Sequence, residues 1–257
     1  MDISLIETLR FEPGTGFVRL ERHLARLERS AKALGLPGAG KARDALFAAL
    51  PPAALPGISP TGGEIDQKKG HPSTAAAEMA GTSPHPISPL AGEMPGRAEG
   101  GAQQPPYLRI RLELFADGRI DVQTAAFAPL AADIVWRVKL ATTRLASDDP
   151  LLRHKTSRRG LYTAARAEFS ASEADEVILL NERGELCEGT ITSLFLDDGS
   201  GILKTPALAS GLLAGVLREE LLESGRAVET VLRPKDIEKG DVLVGNSLRG
   251  LIRARLA

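Results

Sequence analysis

Apolar residues return at helical spacing in "RLERHLARLERSAKALGLPG", where Leu20, Leu24, Leu27, Ala31 and Leu34 share one face and Gly35 stands at the expected stop. The pattern then changes to period two. "YLRIRLELFADGRIDVQTAAF" predicts two strands joined at Asp117-Gly118 as a hairpin. Further on, "VWRVKLATTR" reads as a strand, "SRRGLYTAARAEFSA" as a helix, and "EVILLNERGELCEGTITSLFLDDGSGILKTP" as strand, turn, strand, turn, strand. "GLLAGVLREELLESG" is a helix closed by Gly225, and "DVLVGNSLRGLIRARL" ends the chain in paired strands. Strands mixed with a few helices predict an α+β (mixed α/β) fold with two subdomains, a small N-terminal one over 1–130 and a larger C-terminal one over 131–257.

Residues 56–105 break the pattern. They hold eight prolines and nine glycines in 50 positions and no Phe, Trp or Tyr, so they cannot bury enough apolar surface to offset their ordering entropy. "GISPTGGE" and "PISPLAGE" echo each other within the stretch, in the manner of translated palindromic elements inserted in frame in some genes. Two copies without an apolar face cannot stack as a solenoid. The stretch is expected to be a flexible surface insertion, with a functional lid as the alternative.

Composition narrows the function. A formal net charge of -1 gives no electrostatic reason to expect nucleic acid or an anionic membrane, and a small-molecule ligand fits better. The single cysteine, Cys187, excludes an internal disulfide and a cysteine-rich metal site, and it reads as a small apolar filler. No run of about 18 apolar residues occurs, and the start "MDISLIETLRFEPGTG" lacks a basic-then-apolar leader, so a cytoplasmic protein is expected.

The chain has no nucleophile elbow, no phosphate loop ending in Gly-Lys-Ser/Thr and no histidine pair at metal-ligand spacing. His71 and His85 fall in the insertion, His23 reads as a packed or capping histidine, and His154 precedes Lys155. Lys155 lies among Arg153, Arg158 and Arg159 beside the apolar pair Leu151-Leu152, a setting that depresses an amine's pKa and suits carbonyl capture; a solvated basic helix start is the alternative. Glu188 sits where "NERGELCEGTITSLF" turns apolar, so it needs a cationic partner. A protonated pyridine nitrogen would serve, and pyridoxal phosphate needs both a lysine and such an acid. Gly215-Val216-Leu217 offers a helix start for an oxyanion, and Ser247 in "GNSLRG" a hydroxyl donor.

With "HLARLERSAKALG", "HKTSRRGLY", "NERGELCEGT", "GLLAGVLREELL" and "NSLRG" in this order, the chain resembles the fold-type IV pyridoxal-phosphate enzymes, the class IV aminotransferase family. That group contains branched-chain and D-amino-acid aminotransferases and 4-amino-4-deoxychorismate lyase. "HKT" and "NSLRG" look more like the lyase. The resemblance implies that Lys155 binds the cofactor's aldehyde covalently, that Glu188 pairs with its ring nitrogen, and that Arg26, Val216, Leu217 and Ser247 hold its phosphate within the C-terminal subdomain. Arg111, or Arg109 on the same strand face, would meet a substrate carboxylate. Ser193 is carried over as a cofactor neighbour, at a position where many members have asparagine; Leu217 replaces a frequent threonine, and so does Cys187. Neither Tyr107 nor Tyr162 falls on the tyrosine that transaminases place near the cofactor.

What the resemblance implies is conversion of 4-amino-4-deoxychorismate to 4-aminobenzoate and pyruvate, on the way to folate, by a homodimer working with an aminodeoxychorismate synthase. The alternatives are an aminotransferase of branched-chain or D-amino acids, and a non-catalytic cofactor-binding protein.

Overall fold

The computed structural model describes residues 3–51, 107–238 and 240–257; the Pro- and Gly-rich stretch 56–105, with His71 and His85, lies outside them. The chain begins with β1 (Leu5–Glu12), a strand that the periodicity did not announce, followed by β2 (Gly16–Phe17) and helix α1 (Leu20–Leu34). Gly35 closes α1 in the left-handed conformation at φ +69°, as its position predicts. A short second helix, α2 (Ala42–Ala48), was also not foreseen. The predicted hairpin is present as β3 (Leu108–Leu114) and β4 (Ile120–Ala126), in register from Leu108↔Ala126 to Leu114↔Ile120, with Gly118 at φ +82° in the turn.

These strands form one antiparallel sheet in the order β2-β1-β3-β4. Leu5, Leu9, Ile110 and Leu112 pack against Leu27 and Leu46 of the two helices, each at most 1% exposed. Fully burying a side chain of this kind stabilises by about 1.5–3 kcal/mol. Alternation along β1 puts Glu7 on the same face as Leu5 and Leu9, so a carboxylate enters this core facing α1.

The remaining strands form a second sheet: β5 (Val135–Leu145), β6 (Glu176–Asn181), β7 (Leu186–Gly189), β8 (Ser193–Asp197), β9 (Leu203–Pro206), β10 (Ala227–Thr230), β11 (Asp241–Asn246) and β12 (Gly250–Leu256). Their order is β10-β9-β8-β11-β12-β5-β6-β7, and β7 also pairs with β8 through Glu188↔Ser193. That last pair closes six strands into a ring around Val138, Ile178, Leu194, Val244 and Ile252. Helices α3 (Gly160–Ala167), α4 (Val216–Glu223) and α5 (Pro234–Ile237) lie among these strands in sequence. None of the described helices is long and apolar enough to cross a membrane.

The stretch predicted as three strands, 176–206, holds four. The extra break falls at Thr190-Ile191-Thr192, and Glu176 explains it. Its buried carboxylate accepts from the backbone N–H of Thr190 (3.0 Å), which is shared with Val177 O (3.0 Å), from that of Ile191 (3.1 Å), and from the hydroxyls of Thr190 (2.5 Å) and Thr192 (2.8 Å), so the chain folds into a turn around this one acceptor. A β-carbon on Gly189 would stand 2.7 Å from Glu176 Oε2 and against Thr192 Oγ1, so only glycine lets this carboxylate come so close. Gly189→Ala is therefore expected to destabilise the fold by about 1–3 kcal/mol, read as a lower Tm in thermal unfolding, and an unchanged Tm would show that the Glu176 bridge is dispensable.

Candidate active site

Lys155 lies on an extended segment between a 3-10 turn (Pro150–Arg153) and α3, and β1 holds that segment. Ile6 N–H donates to Lys155 O (2.8 Å), Ser157 N–H to Ser4 O (2.9 Å), and Leu5 and Thr156 form an isolated bridge. The lysine's backbone is thus fixed to the first sheet while its side chain enters a cavity of about 240 Å³. Burial, with Arg26 and Arg159 nearby, lowers its ammonium pKa to about 8.

Glu188 lines the same cavity from the end of β7 and is 5% exposed. Both of its hydrogen bonds fall on one oxygen: Oε1 accepts from the Tyr162 hydroxyl (2.7 Å) and from Leu213 N–H (3.0 Å). Oε2 has no hydrogen-bond partner among the described residues. Burial raises this carboxylate's pKa against the pull of its two donors. Tyr162 is held in turn by Arg159, whose guanidinium stacks 4.3 Å from the ring centre and donates to Thr190 O. Burial and the Glu188 charge keep the phenol protonated, so it remains a donor.

At the opposite side, α1 and β1 present a second charged group. Arg26 meets Glu7 by two hydrogen bonds (Nε–Oε1 2.9 Å, Nη2–Oε2 2.6 Å) and donates from Nη1 to Ala214 O (3.2 Å), leaving two of its five N–H groups unspent. His23, one turn earlier on α1, bridges Glu7 Oε2 (Nδ1, 2.6 Å) and Ser247 Oγ (Nε2, 2.7 Å). Despite its burial, Glu7 has its pKa lowered to about 2 by Arg26 and His23. The turn carrying Ser247 is itself held, by Arg19 on Ser247 O (3.3 Å) and Arg10 on Leu248 O (3.2 Å).

The segment Leu213–Gly215 ties the two sides together, with one N–H on Glu188 and one C=O on Arg26, and then enters α4. No side chain caps that helix, so the N–H groups of its first turn, at Val216 and Leu217, are open beside the cavity. A β-carbon on Gly215 would stand 2.5 Å from Ser193 Oγ, which brings Ser193, β8 and the helix start into one wall.

Lys155, Glu188, Arg26, Ser193, Val216, Leu217, Ser247 and Arg109 all line this one cavity. Arg111 does not; it donates to Glu113 (2.5 Å) two residues along β3. Tyr162, Arg159, His23 and Arg249 line it as well, beyond the residues expected there. The basic cluster at 153–159 flagged Arg159, but nothing local marked Tyr162, which reaches Glu188 from a different element. Cys187 faces away, its thiol donating to Ser210 O (3.2 Å) and pushed up to about 12 by burial, as a filler should be. Among the described residues no group of His, Cys, Asp or Glu is arranged to hold a metal ion.

Residues 96–257 match the family model for amino-transferase class IV. A Schizosaccharomyces pombe protein provisionally named an aminodeoxychorismate lyase is 30% identical over 155 residues, covering 58% of this chain and 66% of that protein. A Thermotoga maritima protein provisionally named a branched-chain-amino-acid aminotransferase is 31% identical over 128 residues, covering 48% of this chain and 44% of that one. The chain therefore matches slightly under two thirds of the first relative's length and less than half of the second's. The crystal structure of a Mesorhizobium loti protein, provisionally named an amino-acid aminotransferase, superposes with a TM-score of 0.74 at 42% identity, with 100% of both chains covered.

Glu7 gives this site a pH signature. A carboxylate whose pKa is 4.5 when free and about 2 when folded contributes stability that is complete above 4.5 and lost as pH falls towards 2. The unfolding free energy is expected to drop by about 3 kcal/mol across that interval from this group. Urea denaturation at a series of pH values checks it, because Glu7→Gln should remove that part of the slope.

Proposed function

The chain belongs to the class IV amino-transferase family and is a pyridoxal-phosphate enzyme, and we propose that it is the lyase converting 4-amino-4-deoxychorismate to 4-aminobenzoate and pyruvate. The cavity suits the cofactor at both ends. Glu188 Oε2 is an acceptor lacking a donor among the described residues, and a protonated ring nitrogen is the donor it suits. At the other end the spare N–H groups of Arg26, the Ser247 hydroxyl and the open N–H groups of Val216 and Leu217 make a donor set for a dianion. Lys155 stands in the same wall with an amine poised to lose its proton near neutrality. When bound, pyridoxal phosphate supplies an aldehyde that captures the substrate's amine and a ring that takes up electrons from the neighbouring carbon.

The observation that carries the lyase reading is a pair of cavity arginines, Arg109 and Arg249, neither of which has a carboxylate partner among the described residues. Arg249 is partly buried near the Trp136 ring, 5.9 Å from its centre, and that burial, with Arg109 nearby, lowers its pKa against the pull of Glu176, so the two cations are felt together. 4-Amino-4-deoxychorismate carries a ring carboxylate and an enolpyruvyl carboxylate, one for each guanidinium. Lys155 Nζ, once displaced by the substrate amine, removes the proton from the ring carbon bearing nitrogen. As the carbon–oxygen bond to the enolpyruvyl group breaks, the same Nζ returns a proton to that group's methylene, which leaves as pyruvate. Tyr162 and Leu213 hold Glu188 in register throughout. The ring becomes aromatic, which drives the step.

An aminotransferase is the second reading, favoured by the full-length likeness to the Mesorhizobium loti protein. It shares the proton removal by Lys155 but ends with the amine retained and needs a 2-oxo acid to accept it. The lyase reading also carries a homodimer, in which the half-exposed Leu161 and Ile191 near the cavity would find cover, and a synthase that supplies the substrate.

Purified protein given enzymatically made aminodeoxychorismate should release 4-aminobenzoate and equal pyruvate with no 2-oxo acid added. Turnover that requires a 2-oxo acid would transfer the assignment to the aminotransferase. Arg249→Met is expected to raise KM by about tenfold to a hundredfold with a smaller effect on kcat, since it removes a charge-assisted contact. The rate at which cofactor-free protein captures pyridoxal phosphate, followed by its visible absorbance, should rise with pH and level off above about 8, and Lys155→Ala should show no borohydride-fixed cofactor.

A further inference from the structure

His23 is buried, lines the cavity, and has no part in the chemistry just described. Its Nδ1 faces Glu7 at 2.6 Å, and Glu7 is kept ionised by the two-bonded Arg26, so that carboxylate can only accept. Nδ1 must therefore carry a hydrogen whatever the charge on the ring. The only site free to change is Nε2, which faces Ser247 Oγ at 2.7 Å. In the neutral ring Nε2 has a lone pair, so the serine hydroxyl donates inward to His23. In the charged ring Nε2 has a hydrogen, so the hydroxyl accepts from His23 and its own hydrogen is freed towards the cavity. One proton thus decides which way Ser247 points.

We propose that His23 is a positioning residue that takes up one proton when the phosphate of the cofactor binds, turning Ser247 from a donor to His23 into a donor to the phosphate. The inference rests on placing the phosphate at the start of α4, as in the proposed function. The charges facing His23 favour the exchange. They are Glu7 from β1, Arg26 on its own helix and Lys155 from the segment after the 3-10 turn. With Ser247 from the β11–β12 turn as the remaining, neutral partner, these sum to one positive charge, which a dianion overturns. Burial together with the two cations keeps the ring's pKa below its usual value in the cofactor-free protein, so the proton arrives with the phosphate and is not already present.

Pyridoxamine 5'-phosphate, which has no aldehyde and cannot bond Lys155, is the probe, with pyridoxamine as the control that shares its ring. Calorimetric titration of the full chain at pH 7.5 in buffers of different ionisation enthalpy should show about one more proton taken up with the phosphorylated ligand. Its Kd should tighten about tenfold for each unit of falling pH from 8.5 to 7.5. His23→Gln should lose both effects, and ¹⁵N spectra of wild-type protein should show Nε2 of His23 gaining its hydrogen on binding. Equal proton uptake with the two ligands, or an unchanged Nε2 signal, overturns the proposal even if His23→Gln fails to fold. If the phosphate adds no affinity over pyridoxamine, and Ser247→Ala changes nothing, the placement of the phosphate fails first and takes the inference with it.

Discussion

Burying an ionised carboxylate costs several kcal/mol unless it is given charge or hydrogen-bond donors, and this chain buries Glu7, Glu176, Glu185 and Glu188, each at most 7% exposed. Each solution builds a different part of the molecule. Glu7 is answered by a bidentate arginine and a histidine, which locks α1 to β1. Glu176 is answered by backbone and threonine donors, which shapes the loop 190–192. Glu185 is answered by Asn181, Arg183 and Ser210 at the β6–β7 turn. Glu188 is answered on one oxygen only, and the other is left for a donor that the described chain does not supply.

These solutions explain why the cavity lies where it does. The ring of six strands closes at Glu188↔Ser193, a single residue pair, because the chain turns back at once around the Glu176 carboxylate, which gathers donors from Thr190, Ile191 and Thr192. A closure so short leaves Glu188 and Ser193 side by side next to a gap in the wall. The Leu213–Gly215 segment crosses that gap, bonded to Glu188 at one end and to Arg26 of the first sheet at the other, and aims α4 at the space between them. The site is therefore assembled from both sheets, and the Lys155 segment, bridged to β1, is where they are joined by backbone hydrogen bonds.

Much of this was legible in the sequence where the signal is local. α1 with its Gly35 stop, the Asp117-Gly118 hairpin and the Gly215 entry to α4 are periodicity followed by a residue suited to the end. Lys155 and Glu188 stood out as charges in apolar surroundings. β1 was not visible because a charge, Glu7, takes an inward position between Leu5 and Leu9 and breaks the apolar alternation by which a strand is read. With β1 unseen, Glu7 had no context, and the Glu7–His23–Ser247 chain, whose members lie 16 and 224 positions apart, could not be read. Tyr162 and Glu176 were missed for a related reason: their partners are set by how α3 and the loop 190–192 fold back. Arg109 and Arg111 were equivalent by alternation, and only the neighbour at Glu113 separates them.

Glu7 explains a further property of the site, its readiness. A lone Arg26 lining a cavity would be a mobile cation, losing rotamer freedom when it met a ligand. Held at two nitrogens by Glu7 and at a third by Ala214 O, it has no such freedom left to lose, and its remaining N–H groups have a fixed direction. Glu7 also cancels most of the guanidinium's charge, which weakens its pull on an anion. The cavity offsets this with the open N–H groups of α4, which carry no full charge and are held in direction by the helix itself, and the Ser247 hydroxyl joins them once its hydrogen turns from His23 towards the cavity. Weaker but preoriented donors on α1 and α4, joined by Ser247 from the β11–β12 turn, select for an anion of definite size and shape, where a single free cation would accept many.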